Sequence, residues 1–251
     1  MIEVKDLYFS FGKKQILKNI NLKVTAGEKV IIIGPNGCGK TTLLRLISGY
    51  LSPSKGEILL KGKSIKEYKI KERAKIIAMM NQSGKTPFNF SVEETVKMGR
   101  YPFISWYGGF SNDDKAIVNK SIDLMNINHL KEHSILNISG GECARTMAAR
   151  AFAQNPELML MDEPVSALDI NQTLHLMNLV KSDEDRAFLI VLHDLNLASQ
   201  YAEKLILMCD GEIVSQGSPE KVITAENISA VYKIDSKIIY VNNRPFIIPY
   251  V

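Results

Sequence analysis

A glycine-rich segment that carries one lysine and two threonines is where the sequence first suggests chemistry. Residues 34–42 read Gly-Pro-Asn-Gly-Cys-Gly-Lys-Thr-Thr. The spacing G-x-x-x-x-G-K-[ST] is that of a phosphate-binding loop, in which glycines let the backbone curl until its N–H groups point toward an anion. The apolar runs on either side are typical of the strand and the helix that such a loop needs. The sequence therefore predicts a nucleotide site, against the alternative of a glycine-rich turn in an ordinary strand–helix unit.

The residues of this loop have separate predicted roles. Lys40 is expected to place its charge between the β- and γ-phosphates, and Thr41 to offer its hydroxyl to Mg²⁺. Thr42 is expected to add a phosphate contact, and the positive N-terminus of the following helix to face the phosphates. The candidate nucleotide-binding residues are Gly34, Pro35, Asn36, Gly37, Cys38, Gly39, Lys40, Thr41 and Thr42.

One of three cysteines lies inside this loop. We expect positive potential to favour the thiolate of Cys38. The alternative is that Cys38 is only a small residue that fills space in the loop. Alkylation of Cys38 is predicted to block nucleotide binding. Cys143 and Cys209 are distant in sequence and no C-x-x-C pair occurs, so all three are predicted to be reduced thiols.

Two acids follow the apolar run 158–161. Phosphoryl transfer needs a carboxylate for the metal ion and a group that activates water. Asp162 is expected to hold Mg²⁺, and Glu163 to polarise the attacking water as a general base. The alternative is that two acids after a strand cap a helix, but their combination with the loop favours the catalytic interpretation.

A second anion site is predicted at residues 137–142, which read Asn-Ile-Ser-Gly-Gly-Glu and precede a predicted helix at 143–153. The hydroxyl of Ser139 and the amides of Gly140 and Gly141 are suitable ligands for phosphate. Ser139 and Glu142 also match the S-x-x-E capping box, and both interpretations hold together. A second phosphate site is useful if two copies associate head to tail, each completing the nucleotide pocket of the other.

The elements that must position these residues follow from the hydrophobic pattern. Short strands at 2–7, 8–12 and 16–24 predict an antiparallel sheet that leads into the loop strand. Further strands are predicted at 57–62, 76–80, 158–161 and 188–192, with hairpins at 204–208/212–215 and 238–241/246–248. The pattern is helical from 91 to 137, with a loop at 101–110.

Composition narrows the function classes. The chain has 251 residues and a formal charge of +4, with no long basic blocks, which gives no reason to expect a nucleic-acid partner. No apolar run approaches the roughly 20 residues of a membrane span, and the first residues lack the apolar core of a signal peptide. We therefore expect a cytosolic location.

In this motif order the chain resembles the ATP-binding subunit of an ABC transporter over essentially its whole length. The corresponding segments are 34–42 for Walker A, Gln82 for the Q-loop, 139–142 for the signature motif, 158–163 for Walker B, 166–169 for the D-loop and His193 for the switch histidine. The resemblance implies an α/β fold: a P-loop NTPase of ABC type with an antiparallel β subdomain and a helical insert. It implies one ABC ATPase domain over 1–251, with the insert at about 88–150 and a β-rich tail at about 225–251.

The resemblance also implies ATP and Mg²⁺ as cofactors and assigns further roles. Phe11 would stack on adenine, the alternative being a strand core residue. Gln82 would reach Mg²⁺ and the attacking water. His193 would contact the γ-phosphate and orient Glu163, the alternative being a strand end capped by the Asp194 that follows. Asp169 would communicate across a head-to-tail dimer.

The signature region departs from the family pattern. Ile138 stands for the usual Leu and Glu142 for the frequent Gln, and of the basic residues that commonly follow only Arg145 is present. These departures concern the contacts near this helix and leave unchanged the contacts that Ser139 and the two glycines would make with phosphate.

Local stretches resemble importers of iron–siderophore, haem and cobalamin, namely 99–102, 193–198, 201–203 and 217–224. This resemblance implies polytopic permease subunits as partners, a substrate-binding protein as an indirect one, and a peripheral location at the cytoplasmic face of the membrane. The loop 101–110 would help to dock the permease, or else is a packed aromatic cluster.

The rival from another class, a soluble ABC ATPase acting on ribosomes or DNA, usually carries a second nucleotide domain or a coiled-coil insertion. A binding module without turnover conflicts with the presence of Glu163 and His193.

Overall fold

The computed structural model describes residues 1–81, 89–105 and 108–250. The strands are β1 (Ile2–Phe11), β2 (Lys14–Val24), β3 (Lys29–Ile33), β4 (Lys55–Leu60), β5 (Lys63–Ser64), β6 (Ile77–Met80), β7 (Leu158–Asp162), β8 (Ala187–Val191), β9 (Lys204–Cys209), β10 (Glu212–Gly217), β11 (Asp235–Val241) and β12 (Arg244–Tyr250). The helices are α1 (Lys40–Ile47), α2 (Ile70–Ile76), α3 (Val92–Lys97), α4 (Asn112–Leu124), α5 (Gly140–Ala153), α6 (Ile170–Ser182), α7 (Leu195–Tyr201), α8 (Pro219–Val222) and α9 (Ala225–Tyr232). Short 3-10 helices lie at Ile65–Glu67, Met98–Phe103, Asn128–Leu130 and Ile135–Asn137.

The chain divides into two compact units. The first comprises Met1–Tyr68 and Asp183–Val251, and the second comprises Lys69–Ser182. The predicted insert at about 88–150 falls within the second unit, and its boundaries stay a prediction.

The first unit contains a buried parallel group of strands. β3 lies between β8 and β9 and is parallel to both, while β10 pairs antiparallel with β9. All five residues of β3 and of β8 are buried, as expected for strands covered on both faces. The predicted strand at 188–192 is confirmed, displaced by one residue. α1 buries four apolar residues, Leu43, Leu44, Leu46 and Ile47.

The same unit contains an antiparallel sheet in the order β2-β1-β4-β5. The two strands predicted at 2–7 and 8–12 form one continuous strand, β1. In place of a turn between two strands, the chain has a bulge within one strand. Asp6 has a φ of 45° there, and the pairing with β2 shifts between Val4 and Leu7. The Asn21 side chain accepts the Asp6 N–H at 2.9 Å and so satisfies a group that the bulge removes from the ladder.

The C-terminal hairpin of the first unit is longer than predicted. β11 and β12 pair from Asp235 with Tyr250 to Val241 with Arg244. Asn242 and Asn243 form the turn with φ of 49° and 61°, and two consecutive positive φ values are those of the type I′ turn that suits the twist of a hairpin. The hairpin predicted around residues 210–211 is also confirmed, as β9 and β10.

The second unit pairs β6 with β7 in parallel and packs α3, α4 and α5 against one another. A buried ion pair holds these helices: Arg100 Nε lies 2.8 Å from Asp114 Oδ1, and an Arg100 terminal nitrogen donates to the Ala153 carbonyl at 3.0 Å. The helical pattern predicted for 91–137 is confirmed where the structure describes it. Among the described residues, no helix is both long and apolar enough to cross a membrane.

Candidate functional site

The phosphate loop of the first unit connects β3 to α1. Two of its glycines sit where a side chain does not fit. Gly34 has a φ of 152°, and a Cβ there would lie 2.2 Å from the Met208 carbonyl oxygen. Gly39 has a φ of 104°, and its Cβ would lie 2.6 Å from Cδ2 of Leu17. The curl of the loop therefore depends on glycine at both positions.

Lys40, the first residue of α1, is held inside this curl. Its side chain is buried, and its Nζ donates to the carbonyls of Gly34 at 2.7 Å and Pro35 at 2.9 Å. The first helical hydrogen bond beside it runs from the Leu43 N–H to the Gly39 carbonyl at 2.9 Å. The Lys40 ammonium and the positive N-terminus of α1 thus both lie at the phosphate loop.

Cys38 is buried in the loop, with 5% of its surface exposed. Burial raises the pKa of the Cys38 thiol and outweighs the opposite effect of Lys40. Positive potential from Lys40 favours the thiolate as expected, but the removal of the sulfur from water has the larger effect, so the net pKa of the thiol is raised. The predicted effect of alkylation on nucleotide binding stays a prediction.

Tyr232 has a contact with the loop that the sequence did not predict. It is the last residue of α9, burial raises its pKa, and a hydrogen bond with the backbone of Gly34 acts in the opposite direction. The sequence carries no signal for this contact, since Tyr232 lies far along the chain from the loop.

Phe11 ends β1 with its ring in solvent. It is 51% exposed, and its ring meets that of Phe9 edge to face at 4.7 Å between centroids. The core residue is Phe9, which is 7% exposed. The alternative of Phe11 as a strand core residue is therefore wrong, and an exposed ring is free to stack on a flat ligand.

His193 follows β8 and is exposed. The carboxylate of Asp194 accepts the N–H groups of Asn196 and Leu197, both at 2.9 Å. Asp194 is thus the N-cap of α7, and the role of His193 stays a prediction.

In the second unit, the two predicted catalytic acids differ in environment. Asp162 ends β7 and is buried, whereas Glu163 is half-buried and has a φ of 51°. A positive φ is uncommon for glutamate and is a mark of functional positions. Neither acid caps a helix, because the next helix, α6, is capped by Asp169, whose carboxylate accepts the Gln172 N–H at 2.8 Å. The capping alternative for this pair is wrong.

Ser139 and Glu142 form the predicted capping box at the start of α5. Glu142 Oε2 accepts both the N–H and the hydroxyl of Ser139 at 2.8 Å, and Ser139 Oγ accepts the Glu142 N–H at 3.3 Å. These bonds to Ser139 hold the pKa of Glu142 below its usual value. Gly140 is exposed and a Cβ there would meet open space. Capping is confirmed, and phosphate binding by Ser139, Gly140 and Gly141 stays a prediction.

Arg145, the basic residue retained after the signature segment, has a structural contact. One of its terminal nitrogens donates to the carbonyls of Met125 and Asn126, each at 3.2 Å. It therefore ties α5 to the residues that follow α4.

The structure thus brings the loop, Phe11 and His193 into one unit, and Asp162, Glu163, the signature segment and Asp169 into the other. Gln82 lies outside the described residues. The hydroxyl of Thr41 and the carboxylate of Asp162 are oxygen ligands of the kind that Mg²⁺ prefers, and Mg²⁺ commonly takes one or two carboxylates together with substrate phosphates. The donor chemistry of these residues fits the ion.

Comparison with known proteins decides the family. The ABC transporter family model matches residues 17–166. The chain belongs to the ABC transporter family. It is similar to the ferric enterobactin transport ATP-binding protein FepC of Escherichia coli (strain K12), with 36% identity over 98% of this chain and 92% of the relative. It is also similar to the petrobactin import ATP-binding protein FpuC of Bacillus anthracis, with 35% identity over 99% of this chain and 93% of the relative.

Solved structures agree with the predicted ABC-type fold. One described as an inward-facing metal-chelate type ABC transporter superposes with a TM-score of 0.83 and 25% identity, covering 100% of this chain and 97% of the other. A dimeric ATP-binding cassette in a post-hydrolysis state with ADP and phosphate superposes with a TM-score of 0.76 and 27% identity, covering 87% of this chain and 98% of the other. The predicted P-loop NTPase fold of ABC type is confirmed.

Proposed function

We propose that this chain hydrolyses ATP to power the import of an iron chelate (a siderophore complex), haem or cobalamin through a membrane permease. The observation that carries the proposal is the near full-length similarity, at 36% identity, to a ferric enterobactin transport ATP-binding protein. It is supported by the phosphate loop and by the strained Glu163 after β7. The rival function, a soluble ABC ATPase on ribosomes or DNA, has no such support from the named relatives.

Nucleotide binding is assigned to the first unit. The loop backbone surrounds the phosphates, and Lys40 exchanges the carbonyls of Gly34 and Pro35 for phosphate oxygens. The bound anion compensates for the lost carbonyl contacts because a phosphate oxygen carries a full negative charge opposite the ammonium, whereas a carbonyl oxygen carries only a partial one. The exposed ring of Phe11 stacks on adenine.

Hydrolysis is assigned to Glu163 and His193. Glu163 accepts a proton from the attacking water, and His193 contacts the γ-phosphate and orients Glu163. Thr41, Asp162 and Gln82 would hold Mg²⁺, which neutralises charge on the phosphates when bound. The positive φ of Glu163 fixes the direction of its side chain at the end of β7.

A second copy of the chain is proposed to complete each nucleotide site. Ser139, Gly140, Gly141 and Glu142 would face the γ-phosphate of the partner copy from the start of α5, with Asp169 at the same contact. Ser139 and Gly140 are exposed, as a dimer surface requires before association. A related cassette is dimeric.

The permease is proposed to meet the second unit at the loop 101–110, at the cytoplasmic face of the membrane. Tyr101 is 57% exposed and Phe103 is 36% exposed, which supports docking. The ring of Tyr101 lies 6.2 Å from that of Phe110, and the Arg100 guanidinium lies 3.9 Å from the Phe103 centroid, which supports a packed cluster. Trp106 and Tyr107 lie outside the described residues.

The test is ATP hydrolysis by the purified chain in detergent with its co-purified permease, with and without the substrate-binding protein loaded with ferric siderophore. We expect Mg²⁺-dependent hydrolysis that the loaded binding protein stimulates and that Glu163→Gln abolishes. Stimulation by ribosomes or DNA instead of the loaded binding protein contradicts the proposal.

A further inference from the structure

Helix α7 begins two residues after His193 and is fastened to the C-terminal hairpin β11–β12. Within the first unit, α7 contacts β12, and three side chains make the connection. Ser199 Oγ donates to the Pro245 carbonyl at 2.6 Å, and a terminal nitrogen of Arg244 donates to the Ala202 carbonyl at 3.1 Å. The third side chain, Asn196, is the one nearest to His193 in sequence.

The amide of Asn196 pairs with both backbone polar groups of one residue. Its Oδ1 accepts the Ile247 N–H at 2.7 Å, and its Nδ2 donates to the Ile247 carbonyl at 3.2 Å. The side chain thus acts as a short piece of neighbouring strand along the edge of β12. Ile247 is 4% exposed and Asn196 is half-buried, and two hydrogen bonds to one residue fix both the position and the rotation of the amide that makes them.

The same residue is also fixed at its backbone. The N–H of Asn196 donates to the Asp194 carboxylate at 2.9 Å, so the capping residue beside His193 is bonded to Asn196. The chain from His193 to Asn196 is therefore held between the end of β8 and the hairpin. This turn carries the backbone of His193, which is exposed, and so contributes to the direction in which its imidazole leaves the strand.

We propose that Asn196, anchored on the hairpin β11–β12, is a positioning residue for His193 in ATP hydrolysis. The inference rests on the proposed function, since it takes His193 to contact the γ-phosphate. The hairpin then contributes to turnover although it is distant in sequence, since Ile247 lies 51 residues after Asn196.

The first test reads His193 directly and needs no turnover. The chain has four histidines, and the other three, His129, His133 and His175, belong to residues 69–182. In ¹³C-histidine-labelled protein, the signal of His193 is assigned by its loss in His193→Gln. We expect Asn196→Ala to shift or broaden this signal and to leave the other three in place.

A matched control separates positioning from general loss of structure. Asn227 lies in α9 of the same unit, and its Nδ2 donates to the Val222 carbonyl at 2.9 Å. Asn227→Ala removes a comparable amide-to-backbone bond, and we expect the His193 signal to stay unchanged. If Asn196→Ala does not fold, Asn196→Asp replaces it, because that variant keeps an acceptor for the Ile247 N–H and sets a charged oxygen in place of the donor to the Ile247 carbonyl.

The second test is kinetic. We expect Asn196→Ala to lower kcat by up to roughly 100-fold, the scale that a misplacement of about 1 Å can reach, with KM for ATP unchanged. In a His193→Gln background, Asn196→Ala should lower kcat no further.

The outcomes distinguish the two proposals. An unshifted His193 signal in Asn196→Ala, or a kcat equal to that of Asn227→Ala, overturns the positioning role of Asn196. A full decrease in kcat in both backgrounds overturns it as well, since the effect then does not pass through His193. Wild-type turnover in His193→Gln contradicts the proposed function of His193 itself, whatever the signal does in Asn196→Ala.

Discussion

Replacing Gly39 with alanine tests whether the phosphate loop depends on glycine for its shape. The φ of Gly39 is 104°, and a Cβ there would lie 2.6 Å from Leu17 Cδ2 and 3.3 Å from the Ile16 carbonyl oxygen. Backbone strain at such a φ costs about 1–3 kcal/mol, and overpacking a filled site costs about 1–3 kcal/mol more. We expect Gly39→Ala to lower the free energy of unfolding by about 2–6 kcal/mol.

Gly62 provides a matched control in the same unit. Its φ is 79°, and a Cβ there would meet no atom within 4 Å. Gly62→Ala therefore introduces the strain of a positive φ without the collision, and we expect a loss of about 1–2 kcal/mol.

Urea unfolding followed by circular dichroism gives the two free energies, and isothermal titration calorimetry gives the affinity for ATP. We expect Gly62→Ala to bind ATP as the parent chain does and Gly39→Ala to bind it at least about tenfold more weakly, a change of roughly 1.4 kcal/mol. Equal losses of stability and equal affinities in the two variants would refute the reasoning, because the collision would then have no effect on the loop.

The remaining predictions concern charges and protons. Glu163→Gln should retain ATP, hydrolyse it very slowly and accumulate a dimer, as measured by size-exclusion chromatography with ATP and Mg²⁺. Lys40→Ala should lose ATP binding in calorimetry, because the γ-phosphate charge is left unmatched in the loop. Iodoacetamide should modify Cys38 slowly at neutral pH and faster as pH rises, because burial raises the pKa of the thiol, and modified protein should fail to bind ATP. Asp114 has a pKa lowered by hydrogen bonds from Arg100 and Ser111, so its stabilising contribution is present above the ordinary carboxyl pKa and is lost as pH falls through the lowered value, as urea unfolding at a series of pH values will measure.

Each of these predictions has a result that would contradict it, and two of them have a control variant. A monomeric Glu163→Gln in ATP and Mg²⁺ contradicts the shared-site dimer, and tight ATP binding by Lys40→Ala contradicts its role in the loop. Unchanged ATP binding after confirmed modification of Cys38 removes that prediction, with a Cys38→Ala variant as the control for reaction at Cys143 and Cys209. In Asp114→Asn the loss of stability at acid pH should be smaller, and an identical pH profile contradicts the account of Asp114.

The sequence predicted the elements whose signals are local. β3 and β8 are continuous apolar runs, and the C-terminal hairpin was predicted from two short strands, although its turn type was not. The capping box of Ser139 and Glu142 was likewise found from spacing alone.

The features that the sequence did not predict depend on contacts between distant residues. Burial, which decides the direction of the Cys38 pKa, is set by the residues packed around the loop. Tyr232 reaches Gly34, and Asn196 reaches Ile247, across sequence separations that no periodicity records. The positive φ of Glu163 is imposed by its surroundings, since glutamate has no local preference for it.

An affinity pull-down of the tagged chain from native membranes in mild detergent, with mass spectrometry of the proteins and small molecules recovered, decides between import and the soluble alternative. We expect a polytopic permease with a substrate-binding protein and an iron chelate, haem or a corrinoid. Recovery of ribosomal proteins or DNA-repair factors in their place would contradict it.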